Sequence, residues 1–334
     1  MDAIIIDHTI FSTFQTCKEK ARLAHIEHLS RAEGVPALDF GGAFHAAVAA
    51  YYINKLKNRS KLFSDAKIAF IKYLKEHNPD SLPIEIDNKD GEHREKRSVE
   101  RGLNLLEAYF EKWKSEPYEN IINPVTQLPY IEIAFSVYFM DWNKIPVLYV
   151  GTIDRIMRSR IDGRYWNIET KTTSMGLSNF LTQVRPNHQI TGYHWPVKEL
   201  LDIELAGTVW DAIFVSERQP DYKSKDYWRT LGIDMEKDFG RVETRRSKVD
   251  IDEFLFDLRE TTNEFLNLKS RNLKRWPRNA PAACFMFGKC AYLDICFFNL
   301  DPAIIRNKYV VKPWIPGNWV DVVKVGNVVT VGGK

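Results

Sequence analysis

The dipeptide Asp162-Gly163 stands between two runs rich in β-branched and aromatic residues, VLYVGTIDRIMRSR and RYWNIETKTT. Asp-Gly in that setting is a strong hairpin signal, because a type I′ turn needs positive φ at both central positions. Two strands joined there are forced side by side, together with whatever their ends carry. A two-residue loop would pair Ile161 with Arg164 and set Asp154 directly opposite Lys171. Glu169 precedes Lys171 by two residues and falls on the same face by the strand period. Facing Cβ atoms in such a pair lie about 5 Å apart and diagonal ones roughly 7–8 Å, so both acids could reach one ion. The register holds only if no bulge intervenes.

Phosphodiester hydrolysis needs an ion held by hard oxygen ligands, with positions left for water and substrate. A neighbouring lysine could orient the water or stabilise the developing anion. The same residues could equally form a surface ion pair between Asp154 and Lys171, worth under about 1 kcal/mol. The hairpin by itself leaves both readings open.

Around the hairpin the pattern is helices first, strands in the middle, helices after. Ile10–Phe14 leads into a basic helix carrying Cys17, with Ser12 or Thr13 as N-cap. Gly41-Gly42 is expected to open a second helix, AFHAAVAAYYINKL, and a third is predicted over Ser64–Glu76. The charged, proline-containing stretch Asn78–Arg97 reads as an exposed loop. YIEIAFSVYF is a strand, a helix is expected to start near Pro186, and further strands near Leu205–Val215 and Trp228–Leu231. Ile251–Leu273 reads as a long amphipathic helix, and the valine-rich Val310–Val331 as a terminal hairpin or clasp. The expected organisation is a single domain over 1–334. Its parts are a mainly helical 1–127 with Cys17 and His45, a core at 128–250, a helix and cysteine cluster at 251–300, and a tail or hairpin at 301–334.

Bulk composition constrains partners little. A net charge of +3 neither requires nor excludes nucleic acid. No apolar run approaches membrane-spanning length, and the start, MDAIIIDHTI, lacks a basic n-region, so a cytoplasmic protein is expected. Basic runs at Arg241–Lys248 and Lys269–Arg278, the second around Trp276, would suit phosphate contacts with base stacking, or simply a solvated surface.

Gly151-Thr152-Ile153-Asp154-Arg155-Ile156 followed by Ile168-Glu169-Thr170-Lys171 resembles the bipartite signature of the RecB-like branch of PD-(D/E)XK nucleases. Three further segments fit that branch in order. His45 would by itself read as a core histidine on an apolar helix. Gly41-Gly42-Ala43-Phe44-His45, however, matches the branch's G-x-x-x-H motif, whose histidine approaches the metal. Gln189 and Tyr193 share a helix face, which alone means nothing, but they match its Q-x-x-x-Y motif. Glu132 matches a frequent acidic position of the family, although a solvent-facing strand residue is the reading its place on the strand favours.

The cysteines extend the likeness. Cys17 stands alone, and Cys284, Cys290 and Cys296 follow near the other end, as in iron–sulfur nucleases of this branch such as CRISPR adaptation nucleases and AddB-type subunits. The interval from Cys284 to Cys290 is longer than in many of them. Thiolates suit a 4Fe–4S cluster or zinc, and unliganded cysteines remain a third reading.

The resemblance implies a restriction-endonuclease-like α/β core, a mixed central β-sheet flanked by helices, with its ends stapled by the cluster. It implies a Mg²⁺- or Mn²⁺-dependent DNA exonuclease of phage or bacterial recombination, repair or replication. By the same resemblance His45, Asp154, Glu169 and the Thr170 carbonyl would hold the metal, Lys171 would assist the water, and Gln189 and Tyr193 would shape the groove. DNA with single-stranded character or ends is the expected partner. No G-x-x-x-x-G-K-[ST] motor motif is present, so a separate helicase or annealing protein would have to supply that work. The competing readings are a structure-specific endonuclease on the same site, and a non-catalytic iron–sulfur or zinc DNA-binding module.

Overall fold

The computed structural model describes residues 3–32, 35–57, 60–77, 97–124, 127, 129–286, 288–298, 302–313 and 328–330. In chain order the elements are β1 (Ile4–Asp7), α1 (His8–Thr16), α2 (Lys18–Ala21), β2 (Leu29–Arg31), α3 (Pro36–Leu56), α4 (Leu62–His77) and α5 (Val99–Lys112). The middle of the chain gives β3 (Tyr118–Asn120), β4 (Ile131–Trp142), β5 (Ile145–Ser159), β6 (Tyr165–Thr173), α6 (Leu177–Leu181), α7 (His188–Leu201) and β7 (Leu205–Phe214). There follow α8 (Tyr227–Thr230), β8 (Phe239–Thr244), α9 (Lys248–Ser270), α10 (Ala282–Phe285), α11 (Leu293–Phe297), α12 (Pro302–Lys308), β9 (Tyr309–Val311) and β10 (Val328–Thr330).

The central sheet runs β10-β4-β5-β6-β7-β8, with β1 and β3 also paired to β5. It is mixed: β6–β7 and β1–β5 are parallel, while β4–β5, β5–β6 and β7–β8 are antiparallel. One helical layer, from α3, α4 and α5, packs Phe40, Phe44, Phe70, Leu105 and Tyr109 with Ile168 and Val209 of the sheet. The other, from α1, α7 and α9, packs Phe11, Phe14, Tyr193, Phe254 and Phe265 with Phe135, Tyr149 and Ile153. The expected mixed sheet flanked by helices is what forms.

Several local expectations are corrected. The hairpin has no two-residue I′ turn. Ser159 receives the amide of Gly163 and pairs with Arg164, and of the loop residues Gly163 alone has positive φ, +70°. Side chains close this wider loop: Asp162 accepts from the Arg164 amide, and Ser159 Oγ from the amides of Ile161 and Asp162. The ladder then runs Arg158↔Tyr165 to Arg155↔Ile168, so Asp154 is not opposite Lys171.

Helix starts differ as well, set by a side-chain cap where one is available and at α3 by a proline. Asp7, whose carboxylate accepts from the Ile10 amide at 2.7 Å, starts α1, leaving Ser12 and Thr13 inside it and Cys17 at its end. Pro36 opens α3, so Gly41 and Gly42 lie within that helix. The helix expected near Pro186 starts at His188 with Asn187 as its cap, leaving Pro186 just outside, and Asp226 caps a short helix where a strand was expected at Trp228–Leu231. Among the described residues of Val310–Val331 the strands do not pair with each other as a hairpin; β9 pairs antiparallel with β2 and β10 parallel with β4, the clasp alternative. The expected loop Asn78–Arg97 lies, apart from Arg97, outside the described residues.

The long helix forms as expected, from Lys248 to Ser270, with a Ser247/Asp250 capping box. Gly192 lets α7 lie tightly on the sheet. A Cβ there would stand 2.5 Å from Tyr149 Oη and 2.9 Å from Phe254 Cζ, both in the core. Gly192→Ala should therefore cost about 1–3 kcal/mol through overpacking, read as a lowered denaturation midpoint at unchanged m-value.

Candidate active site

The β5–β6 ladder ends at Arg155↔Ile168, and one step further a side chain takes over from the backbone. The Thr170 amide donates to Asp154 Oδ2 at 2.8 Å. Asp154 is buried, 9% exposed, and Glu169 is fully buried at 0%. Lys171 Nζ lies 2.5 Å from Glu169 Oε1, as expected for side chains two apart on one strand face. Neither Glu169 oxygen has a hydrogen-bond donor in good geometry. Lys171 is its one cationic neighbour in contact, and a buried carboxylate without an aligned donor has room for a further cationic partner.

From the other side, α3 brings His45. The Gly41 backbone passes so close to β6 that a Cβ would lie 3.3 Å from Thr172 Oγ1. One turn later His45 Nδ1 reaches Asp154 Oδ2 at 3.3 Å. The expected histidine thus meets the expected aspartate. Glu132 joins them: one ligand atom from each of His45, Glu132 and Asp154 lies within 4.8 Å of the others, and among the described residues no other trio of such groups does so.

Glu132 is the residue that strand periodicity misjudges. Ile131 and Ile133, on either side, are both buried but belong to opposite helical layers. Between them Glu132 adopts φ +52°, a left-handed conformation that costs a non-glycine residue of order 1–3 kcal/mol. The alternation therefore breaks at Glu132, and its side chain turns to the acidic cluster instead of solvent. Gln189 and Tyr193 lie where the Q-x-x-x-Y spacing puts them, on α7, with Gln189 Nε2 donating to Tyr193 Oη at 2.7 Å. Tyr193 is near enough for Glu169 and Asp154, after burial itself, to raise its pKa.

Like charges crowded out of water set the electrostatics. Burial, then the Asp154 charge, pushes Glu132 up to about 8 and Glu169 up to about 7. Burial also disfavours charged Asp154, but the His45 ring, Lys171 and the Thr170 amide outweigh it and hold the carboxyl below its usual range. His45 and Lys171 are raised against the opposing effect of burial, chiefly by Asp154 and Glu169 respectively. Carboxylates, an imidazole and an ammonium group so arranged can bind a hard divalent cation and steady an anion beside it.

A family model of the PD-(D/E)XK nuclease superfamily matches residues 8–297. The chain belongs to that superfamily. No curated protein matches the sequence. PD-(D/E)XK nucleases use divalent metals, and the acidic trio gives this member a place for one.

This PD-(D/E)XK chain also gathers its cysteines. Cys17, Cys284, Cys290 and Cys296 line one small cavity with Lys20, Arg278 and Tyr292. Cys17 is extended between α1 and α2, and the Cys290 amide donates to the Cys284 carbonyl at 2.8 Å. Burial, then Glu19 and neighbouring sulfurs, pushes the Cys296 thiol up to about 11. A bound metal would reverse that preference. The terminal regions are joined by other contacts as well. The Trp276 amide donates to Glu19 Oε2 at 2.7 Å, and Phe14 packs edge-on against Phe265 and Trp276. Among the described residues no helix is long and apolar enough to cross a membrane.

The raised carboxyls give a signed prediction. Between about pH 4.5 and 8 the metal-free native state holds protons on Glu132 and Glu169 that the unfolded chain has released. Stability of metal-free protein should therefore fall progressively from about pH 4.5 to about pH 7–8 and level off above it. Added Mg²⁺ or Mn²⁺ should offset the loss, with proton release seen as a buffer-dependent binding enthalpy.

Proposed function

We propose that this nuclease is a Mg²⁺- or Mn²⁺-dependent DNA exonuclease of the RecB-like branch carrying a structural 4Fe–4S cluster. The observation that carries the catalytic half is the meeting of His45, Glu132 and Asp154 beside the Glu169–Lys171 pair. What favours the branch is that G-x-x-x-H, the aspartate strand, E-x-K and Q-x-x-x-Y occur in its order and, in space, around one cluster of acids.

In this reading Asp154, Glu169, His45 and the Thr170 carbonyl hold the ion, with Glu132 as an added acidic ligand. The ion would supply Lewis-acid stabilisation of the scissile phosphate and a more acidic water. Lys171, held as a cation by Glu169, donates toward the attacking water or the developing anion. Tyr193 and Gln189, fixed to each other, wall the site on the α7 side. Exonuclease action on DNA ends, in phage or bacterial recombination or repair and with a separate helicase or annealing protein, follows the branch resemblance. The domain limits and cytoplasmic setting read from the sequence belong to the same proposal.

For the cysteines, a mononuclear zinc site would bring thiolates to roughly 3.8 Å from one another, given Zn–S near 2.3 Å. All four cysteines line one cavity, and the choice of a cluster over zinc rests on the branch resemblance. Lys20 and Arg278 on the cavity wall offset thiolate charge, and Arg278 Nη1 donates to the Cys296 carbonyl at 2.9 Å.

Digestion of end-labelled linear DNA and of closed circular DNA with Mg²⁺ tests the catalytic reading. Wild type should degrade linear DNA alone, and Lys171→Ala and Asp154→Asn should each lose at least about 10²-fold in rate while remaining folded. Full activity in Lys171→Ala would remove the site assignment; equal cutting of circles would favour the endonuclease. Anaerobically purified protein should be brown and contain iron, with both properties lost in Cys17→Ser. Colourless protein containing zinc would overturn the cluster.

A further inference from the structure

Arg155 follows Asp154 directly and is 1% exposed, with its guanidinium in the core on the α3/α5 side of the sheet. Its Nη2 donates to Thr170 Oγ1 at 3.1 Å, Tyr109 Oη at 3.2 Å and Asp211 Oδ2 at 3.3 Å. The guanidinium lies 4.3 Å from the Tyr52 ring. Asp211, itself 0% exposed, is the register partner of Thr170 on β7. Its Oδ2 also accepts from Tyr109 Oη at 2.6 Å and Arg241 Nη2 at 3.0 Å. Arg241 pairs onward with Glu116, which accepts from Tyr52 Oη.

A buried ion network is poor value as a stabiliser, since well-packed apolar side chains of similar volume often do as well or better. Directionality is what such a network can provide, and here it is aimed at one residue. Consecutive residues of β5 grip Thr170 from two sides: Asp154 takes its amide and Arg155 holds its hydroxyl. Thr170 stands between Glu169 and Lys171 at the point where the regular ladder has stopped. With β6 paired there to β7 but no longer to β5, these two contacts are what tie its acid, carbonyl and lysine to the Asp154 edge.

We propose that Arg155 is a positioning residue for the metal site, acting through the Thr170 hydroxyl to hold β6 against Asp154. The inference rests on the metal-site reading above and adds to it a residue that touches neither ion nor substrate.

Mn²⁺ titration of DNA-free protein by calorimetry tests it, on wild type, Thr170→Val, Thr170→Ser, Arg155→Lys and Asp154→Asn. Thr170→Val keeps the carbonyl, the β-branch and the Arg155–Asp211 pair but loses the hydroxyl. Its Mn²⁺ affinity should fall about 10–100-fold, the range seen when a residue supporting a metal ligand is lost. Thr170→Ser should restore most of it, and Arg155→Lys should resemble Thr170→Val. In DNA hydrolysis the Thr170→Val rate should recover at high Mn²⁺ with KM for DNA unchanged, which a general loss of folding would not give. Wild-type affinity in Thr170→Val, or equal loss in Thr170→Ser, overturns this proposal alone. A wild type that binds no Mn²⁺, or an Asp154→Asn that binds it equally well, overturns the metal-site reading and this proposal with it.

Discussion

The structure turns on the place where a carboxylate replaces a backbone partner in the sheet. At Asp154 the β5–β6 ladder gives way, and the Thr170 amide is satisfied by Asp154 Oδ2. A buried amide must be paired, so the carboxylate is bound to that position as firmly as a strand residue would be. Its other contact, His45, comes from a different layer of the fold. The acidic cluster therefore depends on secondary structure being locally given up. Glu132 on the neighbouring strand does the same through a left-handed backbone. Both departures fall on adjacent strands at one level, where the side chains of the sheet change from one helical layer to the other.

Such a site is held in tension by charge. Three carboxyls share a largely buried region, and what favours their charged forms is one imidazole, one ammonium, one guanidinium and one amide. These suffice to keep Asp154 ionised while Glu132 and Glu169 retain protons near neutrality. The division follows geometry: the acid with both His45 and the Thr170 amide is the one that stays charged. A divalent cation would supply the missing positive charge, so ion binding and deprotonation are one event in such a cluster.

The sequence was legible where function depends on short separations along one element. Glu169 and Lys171, two apart on a strand, share a face whatever the register. Gln189 and Tyr193, four apart on a helix, meet whatever residue caps it, and they do so although α7 begins after Pro186 instead of at it. The mixed sheet between helical layers likewise follows from strand and helix periods summed over long segments. What failed was anything decided by a single competing hydrogen bond. Ser159 and Asp162 widened the hairpin loop, and the pairing of Asp154 shifted with it. The shift removed the predicted cross-strand neighbour, yet the site still assembled, because the acids are gathered by His45, Thr170 and Glu132 and not by facing positions alone.

Strand alternation misplaced Glu132, which only the family likeness marked, and it gave no sign of the place of Arg155. Glu132 looked solvent-facing because alternation was assumed to continue through it, and a left-handed strand residue has no signature in a sequence without glycine or asparagine at that point. Arg155 was visible only as a letter after Asp154; nothing in the sequence says that a basic residue in a strand will be enclosed. Its burial needed Asp211 and Tyr109, which lie far along the chain in either direction, and only the β6–β7 register brings Asp211 alongside Thr170. A polar residue adjoining a metal-binding acid tends to be read as surface because the acid itself must face solvent and substrate. In a strand the next side chain goes to the other side, and here the other side is the core. The charge required at the site thus has a counterpart behind it, and Thr170 touches both.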